Sequence, residues 1–250
     1  MLSKYEMPLP ILPSRCDSTG RLSFPQVFSA FGDIANVHAD HLNIGMDVLG
    51  PKDLFWVAVR TTVRVHRLPP MGMNCSLVTW PETPERVRTY RDYQLLDPAS
   101  GEVLAEGRTE WGLLNTATGR PAPLAGVFPE DFEFLPQQAN VSPFTRIKDD
   151  MGELEPFASY TVRSTDIDVG GHFNNAHYLR ALASVFSNAE WQAMDLGEIE
   201  VNYKNQSYEG ETLQLRRREE NGAIRICMSN AEGKVVLQVI LRSCQSLSEG

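Results

Sequence analysis

The 250-residue chain is long enough to bury a substantial hydrophobic core without disulfide or metal support. Its composition, 42% hydrophobic and 22% charged, is that of an ordinary soluble globular protein and disfavours disorder. The net charge of −9 argues against nucleic acid as a partner. No apolar run approaches the roughly 20 residues that a membrane-spanning helix needs, so no membrane association is expected.

The cysteines and histidines form neither a disulfide framework nor a metal-binding pattern. The four cysteines are scattered without a CxxC pair, and the five histidines complete no zinc-type spacing with them. We therefore expect buried free thiols, no metal and no cofactor. The first residues lack the apolar core of a secretory signal and the arginines of a transit peptide, which predicts a cytoplasmic location.

The first half of the chain predicts one long helix followed by strands. Ser23 is a suitable N-cap, Pro25 suits the first helical turn, and apolar residues then recur at helical spacing. These apolar residues are Val27, Phe28, Phe31, Ile34, Ala35 and Leu42. Four β-rich segments follow, at 54–68, 74–82, 86–97 and 103–115, and the sequence of 95–103 predicts a hairpin turn.

Basic residues cluster in the first of these strands. Arg60, Arg64, His66 and Arg67 lie close together in a chain that is otherwise acidic, and further arginines occur at 86–91. Such residues are either solvated strand positions or a landing site for an acidic partner. Both interpretations remain open at this point, and Arg64 and Arg67 are the candidate contacts.

The middle of the chain, residues 125–156, has weak periodicity and many proline and acidic residues. We interpret it as a linker along the surface, because a connection of this length is unusual within a domain but natural between two. Beyond it, Asn174 or Asn175 caps a second predicted helix, whose apolar stripe contains Tyr178, Leu179, Leu182, Val185 and Phe186. Strands are predicted at 197–207, 211–220, 223–230 and 234–244, with a hairpin turn at 229–235.

The two halves are copies of one unit. Aligning residues 14–35 with 165–186 places Asp17 on Asp168, Gly20 on Gly171 and Phe31 on Leu182. Aligning 63–77 with 201–215 extends the match into the strands. A long helix followed by antiparallel strands buries its apolar stripe when the sheet wraps around it, and two such units can pair into a pseudo-dimer. The predicted fold class is therefore α+β, in two similar halves.

The stretch DIDVGGHFNNAHYL, residues 166–179, is the candidate catalytic loop. Asp168 can act as general base or nucleophile, and His172 can donate to a substrate or orient it. The Gly170-Gly171 pair permits close approach of a ligand, and the amides that open a helix are suited to an oxyanion. The structural alternatives are a turn-forming Asp168 and a buried, hydrogen-bonded His172. The first copy has Thr19 and Arg21 in place of Gly170 and His172, which favours a function for the second.

Both halves resemble the acyl-acyl-carrier-protein thioesterases, a family of double hot-dog proteins. The resemblance lies in FSAFGDIANVHADHLNIGMDVL and FWVAVRTTVRV, in TWPETPERVRTYRDYQLLD and GRTEWGLLN, and in DVGGHFNNAHYL and VNYKNQSYEGE. It implies an acyl-chain-binding hot-dog at 1–124, a linker at 125–156 and a hot-dog carrying the catalytic loop at 157–250. The implied reaction is hydrolysis of the thioester between a fatty acyl chain and the phosphopantetheine arm of acyl carrier protein.

The family's catalytic groups are an Asp, an Asn, a His and, on the following strand, a Glu. Carried over by position, the Asp is Asp168 and the His is His172, whereas Gly170 stands in the Asn position and Gln206 in the Glu position. A glutamine cannot take a proton from water near neutral pH, so Asp168 carries the chemistry. We expect a slow thioesterase that uses Asp168, with backbone groups from Gly170 and Gly171.

The resemblance also suggests binding residues and alternatives. It assigns the acyl chain to the first half, near Trp56, and Asn174 and Asn175 to substrate binding at the loop. The acidic carrier protein would meet Arg64 and Arg67. The alternatives are a hot-dog thioesterase for acyl-coenzyme A and a non-catalytic protein that binds or senses acyl groups. The oligomeric state stays open, a homodimer included, because the internal pairing already supplies each hot-dog with a partner.

Overall fold

The computed structural model describes residues 3–148 and 150–248, and the chain divides into two compact units at Val141/Ser142. The elements of the first unit are β1 (Tyr5–Pro10), α1 (Phe24–His41), α2 (Met46–Leu49), β2 (Leu54–Val65), β3 (Asn74–Pro81), β4 (Arg88–Leu96), β5 (Val103–Asn115) and β6 (Arg120–Ala122). Short 3₁₀ turns lie at Pro13–Arg15 and Gly50–Lys52. The sheet is antiparallel in the order β1-β3-β4-β5-β2, with β6 paired to β5.

The second unit repeats this plan. Its elements are β7 (Ala158–Thr161), a 3₁₀ turn (Ser164–Asp166), α3 (Asn175–Ser184), α4 (Asn188–Ala193), β8 (Leu196–Tyr203), β9 (Thr212–Glu220), β10 (Ala223–Ser229), β11 (Val235–Ser243) and α5 (Cys244–Ser248). The antiparallel order β7-β9-β10-β11-β8 matches that of the first unit strand for strand. The predicted internal repeat and the predicted α+β class are therefore confirmed.

The first helix packs as its sequence predicts. Ser23 is the N-cap, Pro25 lies in the first turn, and the buried face contains Val27, Phe28, Phe31, Ile34 and Ala35. The ring of Phe31 stacks on Tyr93 of the sheet at a centroid distance of 4.9 Å. A Cβ atom at Gly107 would lie 2.8 Å from the Phe31 ring, so glycine is required for helix and sheet to approach this closely.

The second helix is shorter than predicted. It ends at Ser184, so the predicted stripe residues Val185 and Phe186 lie beyond it. Ser187 begins α4 with a capping box, in which its hydroxyl accepts from the amide of Glu190 and its amide donates to the Glu190 carboxylate. Because α4 begins at this capping box, α3 ends before it. The prediction followed the apolar periodicity and overlooked the local capping signal.

The connecting segment carries no helix or strand among the described residues of 123–157, yet it is fastened to the sheets. In the first unit the amide of Ala139 donates to Asp92 (3.1 Å) and that of Asn140 to Glu106 (2.8 Å). In the second unit the amides of Ser142 and Thr145 donate to the buried carboxylates Glu198 (3.0 Å) and Glu200 (2.8 Å). Burial raises the pKa of Asp92 to about 8.

The four cysteines differ in their burial. Cys75 and Cys227 are buried free thiols as expected, whereas Cys16 is half-buried and the prediction was wrong for Cys244, which is exposed. Cys244 begins the short terminal helix, where few neighbours cover it.

Within 3–148 and 150–248, no helix is both long and apolar enough to cross a bilayer.

Candidate active site

The loop between the 3₁₀ turn and α3 closes on itself through Asp168. The amide of Asp168 donates to the carbonyl of His172 (2.9 Å), and the amide of Gly171 donates to the carbonyl of Asp168 (3.0 Å). The carboxylate oxygen Oδ1 of Asp168 accepts from the amide of Gly170 at 2.8 Å. Gly171 has φ +76°, a conformation that favours glycine. The aspartate therefore forms an Asx turn that fixes the loop.

A buried carboxylate anchors the entry to this loop. Asp166 is 1% exposed and accepts from the hydroxyl of Tyr160 (2.8 Å), the amide of Arg163 (2.9 Å) and the guanidinium of Arg180 (3.2 Å). Its carbonyl accepts from the amide of Asn174 at 2.8 Å. Burial, reinforced by the hydrogen bond to Asp166, raises the pKa of Tyr160 to about 12. This anchoring role was not predicted from the sequence, although Asp166 is the first residue of the candidate catalytic loop, 166–179.

The two asparagines hold the start of the helix. Oδ1 of Asn174 accepts from the amide of Ala176 at 2.9 Å, so Asn174 is the N-cap. The carbonyl of Asn175 accepts from the hydroxyl of Tyr203 at 3.3 Å. The sequence offered Asn174 or Asn175 as the cap, and the structure has Asn174. Contact of either residue with a substrate stays a prediction.

Asp168 and His172 border the same small space. An ideal Cβ atom at Gly170 would lie 3.1 Å from Oδ1 of Asp168 and 3.3 Å from Nδ1 of His172. A side chain at this position would therefore be tight against both the carboxylate and the imidazole, and glycine avoids that crowding. The structure thus brings together two predicted catalytic residues, on either side of Gly170.

The supply of oxyanion donors differs from the expectation. The amides of Gly170 and Gly171 are used inside the turn, by Oδ1 and the carbonyl of Asp168. Among the described residues, none accepts a hydrogen bond from the amide of His172. In this loop conformation His172 therefore supplies an available backbone donor, and a contribution from the Gly171 amide stays a prediction.

The segment 205–208 lies against the loop. The amide of Phe173 donates to the carbonyl of Ser207 at 2.9 Å, and the hydroxyl of Tyr178 donates to Oγ of Ser207 at 3.1 Å. Ser207 is fully buried, and burial raises the pKa of Tyr178 to about 12. Gln206 is exposed, and its Oε1 accepts from the hydroxyl of Tyr208 at 3.3 Å. The predicted polar strand end is thus beside the predicted loop.

Trp56 lies in a separate place, within the first unit. Its indole donates to the carbonyl of Ile44 at 2.9 Å, and its ring lines an apolar pocket against α1. The other residues lining this pocket are Ala35, Asn36, Ala39, Ile44, Pro81, Thr89, Arg91, Trp111 and Phe128. Phe128, Phe132 and Phe134 of the connecting segment pack on one another beside it. This aromatic cover was missed, because 125–156 was interpreted as a surface linker.

The basic strip is largely matched by carboxylates. Arg67 forms two hydrogen bonds with Glu102, at 3.2 and 2.5 Å. In the same sheet, Arg60 pairs with Glu110 (2.5 Å) and His66 with Glu106 (2.8 Å). A paired guanidinium offers less charge to an incoming acidic protein than a lone one does. The strip is therefore a weaker landing site than its sequence suggests.

The described part of the chain contains no cluster of three or more His, Cys, Asp or Glu side chains able to hold a metal ion. Among the predicted site residues, Gly170 and Gly171 lie in the loop with Asp168 and His172, and Gln206 is linked to His172 through Tyr208. The site as built offers a carboxylate, an imidazole, backbone amide donors and a primary amide.

Comparisons with known proteins give the family. The model for the acyl-ACP thioesterase N-terminal domain matches residues 3–130, and the model for the C-terminal domain matches residues 152–242. The chain is 27% identical over 157 residues to oleoyl-acyl carrier protein thioesterase 1 of Arabidopsis thaliana, which is 59% of this chain and 42% of that protein. It spans about two fifths of the length of the curated relatives it matches.

Solved structures agree in fold. An acyl-ACP thioesterase from Bacteroides thetaiotaomicron superposes with a TM-score of 0.87 at 23% identity, over 96% of this chain and 97% of that one. The 12:0-ACP thioesterase from Umbellularia californica superposes with a TM-score of 0.77 at 19% identity, over 97% of each chain. The predicted fold of two hot-dog units is thereby confirmed. With both of its domains matched, this chain belongs to the acyl-ACP thioesterase family.

Proposed function

We propose that the chain hydrolyses the thioester of fatty acyl-acyl-carrier protein and releases a free fatty acid. The observation that carries the proposal is that Asp168 and His172 lie on either side of Gly170, in a loop that the buried Asp166 anchors just before α3. The named relatives are thioesterases and hydrolases of acyl-acyl-carrier proteins, and the chain covers only part of their length.

The chemistry follows from the groups present. Oδ1 of Asp168 is held by the turn, and among the described residues none donates to its Oδ2. That oxygen takes a proton from water, the resulting hydroxide adds to the thioester carbonyl, and the amide of His172 donates to the oxyanion. Collapse breaks the C–S bond, and the pantetheine thiolate leaves and receives the proton. Direct attack by Asp168 on the carbonyl is the second route that the same carboxylate allows.

The acyl chain is assigned to the apolar pocket of the first unit. Trp56, Ala39 and Ile44 line this pocket, and the aromatic side chains of 128–134 cover it. The largely apolar lining matches a hydrocarbon chain, whose burial contributes about 0.8 kcal/mol per CH₂. The cavity measures about 30 Å³ in this conformation, so entry of a chain requires the aromatic cover to move. Contact of the acidic carrier protein with Arg64 and Arg67 stays a prediction, as do the cytoplasmic location and a homodimer.

One observation favours the non-catalytic alternative. Asp168 makes the same turn as Asp17 of the first unit, so its geometry alone is satisfied by a structural role. A protein that binds or senses acyl groups would keep the pocket and the turn without turnover. An acyl-coenzyme A thioesterase would share the chemistry and differ in its carrier.

The test is an assay of the purified protein against acyl-carrier proteins of graded chain length and against acyl-coenzyme A. Free fatty acid is measured by mass spectrometry, with Asp168→Asn as control. Release from acyl-carrier protein that requires Asp168 supports the proposal. Preference for coenzyme A at all salt concentrations supports the first alternative. Co-purified fatty acid with no turnover of any thioester supports the binding alternative and ends the hydrolase proposal.

A further inference from the structure

Tyr208 lies at the edge of the candidate site, where neither the sequence pattern nor the family resemblance assigns it a role. Its side chain is 48% exposed, so it is not a core residue. The phenol donates to Oε1 of Gln206 at 3.3 Å, and the ring meets that of His172 edge-on at a centroid distance of 5.4 Å and an angle of 62°. One side chain therefore contacts two of the residues proposed for the chemistry.

The backbone beneath Tyr208 is fixed on both sides. Ser207 is held by the amide of Phe173 and by the hydroxyl of Tyr178. The amide of Tyr208 itself donates to the carboxylate of Glu211 at 3.2 Å. The backbone hydrogen bonds fix the point from which the ring projects, and its contacts with His172 and Gln206 hold its orientation.

The hydrogen bond decides which face of Gln206 remains available. A primary amide has an acceptor oxygen and a donor NH₂ group. The phenol takes one of the two acceptor positions of the oxygen and so orients the amide, and among the described residues none accepts from its NH₂ group. We infer that Gln206 acts as a donor toward a thioester carbonyl. This is the opposite polarity to a glutamate, which accepts from water.

The first unit shows that this arrangement is not needed for the fold. Its aligned residues are Leu68, Pro69 and Pro70, none of which has a polar side chain. The amide of Leu22 still donates to the carbonyl of Pro69 at 2.9 Å, as that of Phe173 does to Ser207. The polar side chains of 206–208 are therefore additions to a scaffold that stands without them.

We propose that Tyr208 is a positioning residue, which orients Gln206 as a hydrogen-bond donor and braces the imidazole of His172. The proposal rests on the hydrolase function argued above. The hydrogen bond is long and exposed, so its contribution is modest. The effect should appear in kcat, because the reacting groups are misplaced while the acyl chain keeps its pocket.

The experiment measures kcat and KM for acyl-acyl-carrier protein in wild type, Tyr208→Phe, Gln206→Ala and the double variant. Tyr208→Phe keeps the ring on His172 and removes the hydroxyl, and it should lower kcat by about three- to tenfold with KM little changed. In the Gln206→Ala background the same substitution should have almost no effect, because the phenol acts through Gln206. A merely structural tyrosine would give equal losses in both backgrounds.

Thermal unfolding of each variant checks that the fold is intact. The proposal is overturned if Tyr208→Phe keeps the wild-type kcat, or if the two substitutions are additive, while wild type hydrolyses the substrate. In that case the hydrolase function stands and only the role of Tyr208 fails. If wild type hydrolyses no acyl thioester, the function fails, and the role of Tyr208 fails with it.

Discussion

The loops 17–21 and 168–172 have the same backbone and different side chains. In each, the aspartate amide donates to the carbonyl four residues on, at 2.8 Å in the first and 2.9 Å in the second. In each, the aspartate carboxylate accepts from the amide two residues on, at 2.8 Å. Gly20 and Gly171 have nearly equal φ angles, +71° and +76°. The conformation of the loop is therefore no evidence for catalysis.

The difference lies in what surrounds the carboxylate. In the first loop the hydroxyl of Thr19 also donates to Oδ1 of Asp17 (2.5 Å), and Arg21 donates to the carbonyl of Leu68 (2.8 Å). In the second loop, Gly170 has no side chain, and Asp168 is left beside the imidazole of His172. The second copy thus keeps the turn but has glycine in place of the threonine and histidine in place of the arginine. The candidate function follows from this change of side chains and not from the turn.

The strongest way to break this comparison is Asp168→Asn. Asparagine can still accept a hydrogen bond from the amide of Gly170, so the turn should survive. An amide side chain, however, cannot take a proton from water. We expect kcat to fall by about 10²–10⁴, the usual range for loss of a general base, with KM little changed. Steady-state kinetics on acyl-carrier protein measures both.

The matched control is Asp17→Asn in the first loop, which should leave kcat within about a few-fold of wild type. If Asp168→Asn turned over substrate at the wild-type rate, Asp168 would have only a structural role in its turn, as Asp17 does in the first loop. Equal losses in the two variants would show that both act through folding.

The comparison is sharpened by restoring the family pattern with Gly170→Asn and Gln206→Glu. Thr19 shows that the turn accepts a side chain at this position, and at 170 a Cβ would be tight, 3.1 Å from Asp168 and 3.3 Å from His172. A positioned amide and a second base should raise kcat by about tenfold. Well-folded double variants with unchanged or lower kcat would show that these positions do not limit the rate.

The two units should also differ in their response to pH. Asp92 of the first unit is buried with its pKa raised to about 8, above its ordinary value of 3.8. Between these values the folded state binds the proton and the unfolded state does not, so the free energy of unfolding falls as pH rises through this window. The buried carboxylates Glu198 and Glu200 of the second unit are instead paired with Arg242, each at 3.1 Å.

We expect Asp92→Asn to raise Tm near pH 8 and to flatten the decline of Tm between about pH 4 and pH 8. Asparagine can still accept from the amide of Ala139, so the connecting segment stays attached. Calorimetric scans across this range measure the slope for both proteins. Parallel curves for variant and wild type would show that Asp92 does not titrate as its burial implies.

The smallest expected effect concerns the basic strip. Charge reversal at Arg64 and Arg67 should raise KM for acyl-carrier protein by about two- to fivefold and leave small acyl thioesters nearly unaffected. The effect is modest because Arg67 already pairs with Glu102. Kinetics at low and high salt test it, since screening should remove the difference. Equal losses on both substrates would assign the change to folding.

Much of this protein was readable from its sequence, because the signals are local and repeated. The eight predicted strand segments each contain a strand, and the helix from Ser23 packs with its predicted stripe, since period and turn residues act over short range. The strands β6 and β7 were missed because they carry too few residues to show a period, and β1 because its prolines at 8 and 10 argue against a strand. Gly170 and His172 stood out by comparison between copies, because the first copy has Thr19 and Arg21 there, whereas Asp168 matches Asp17.

The tertiary structure determined which residues neighbour the side chains of the candidate site. The contact of the His172 ring with Tyr208 and the hydrogen bond from the amide of Phe173 to the carbonyl of Ser207 depend on how the loop lies against 205–208, which no local pattern encodes. The pairing of Arg67 with Glu102 depends on strand register, which sets charges from distant segments opposite one another. The apolar periodicity of the sequence predicted the helices and strands of both units, because each element buries its own apolar face. Its site required the fold, because hydrogen bonds and charges act between residues that only the fold brings within a few ångströms.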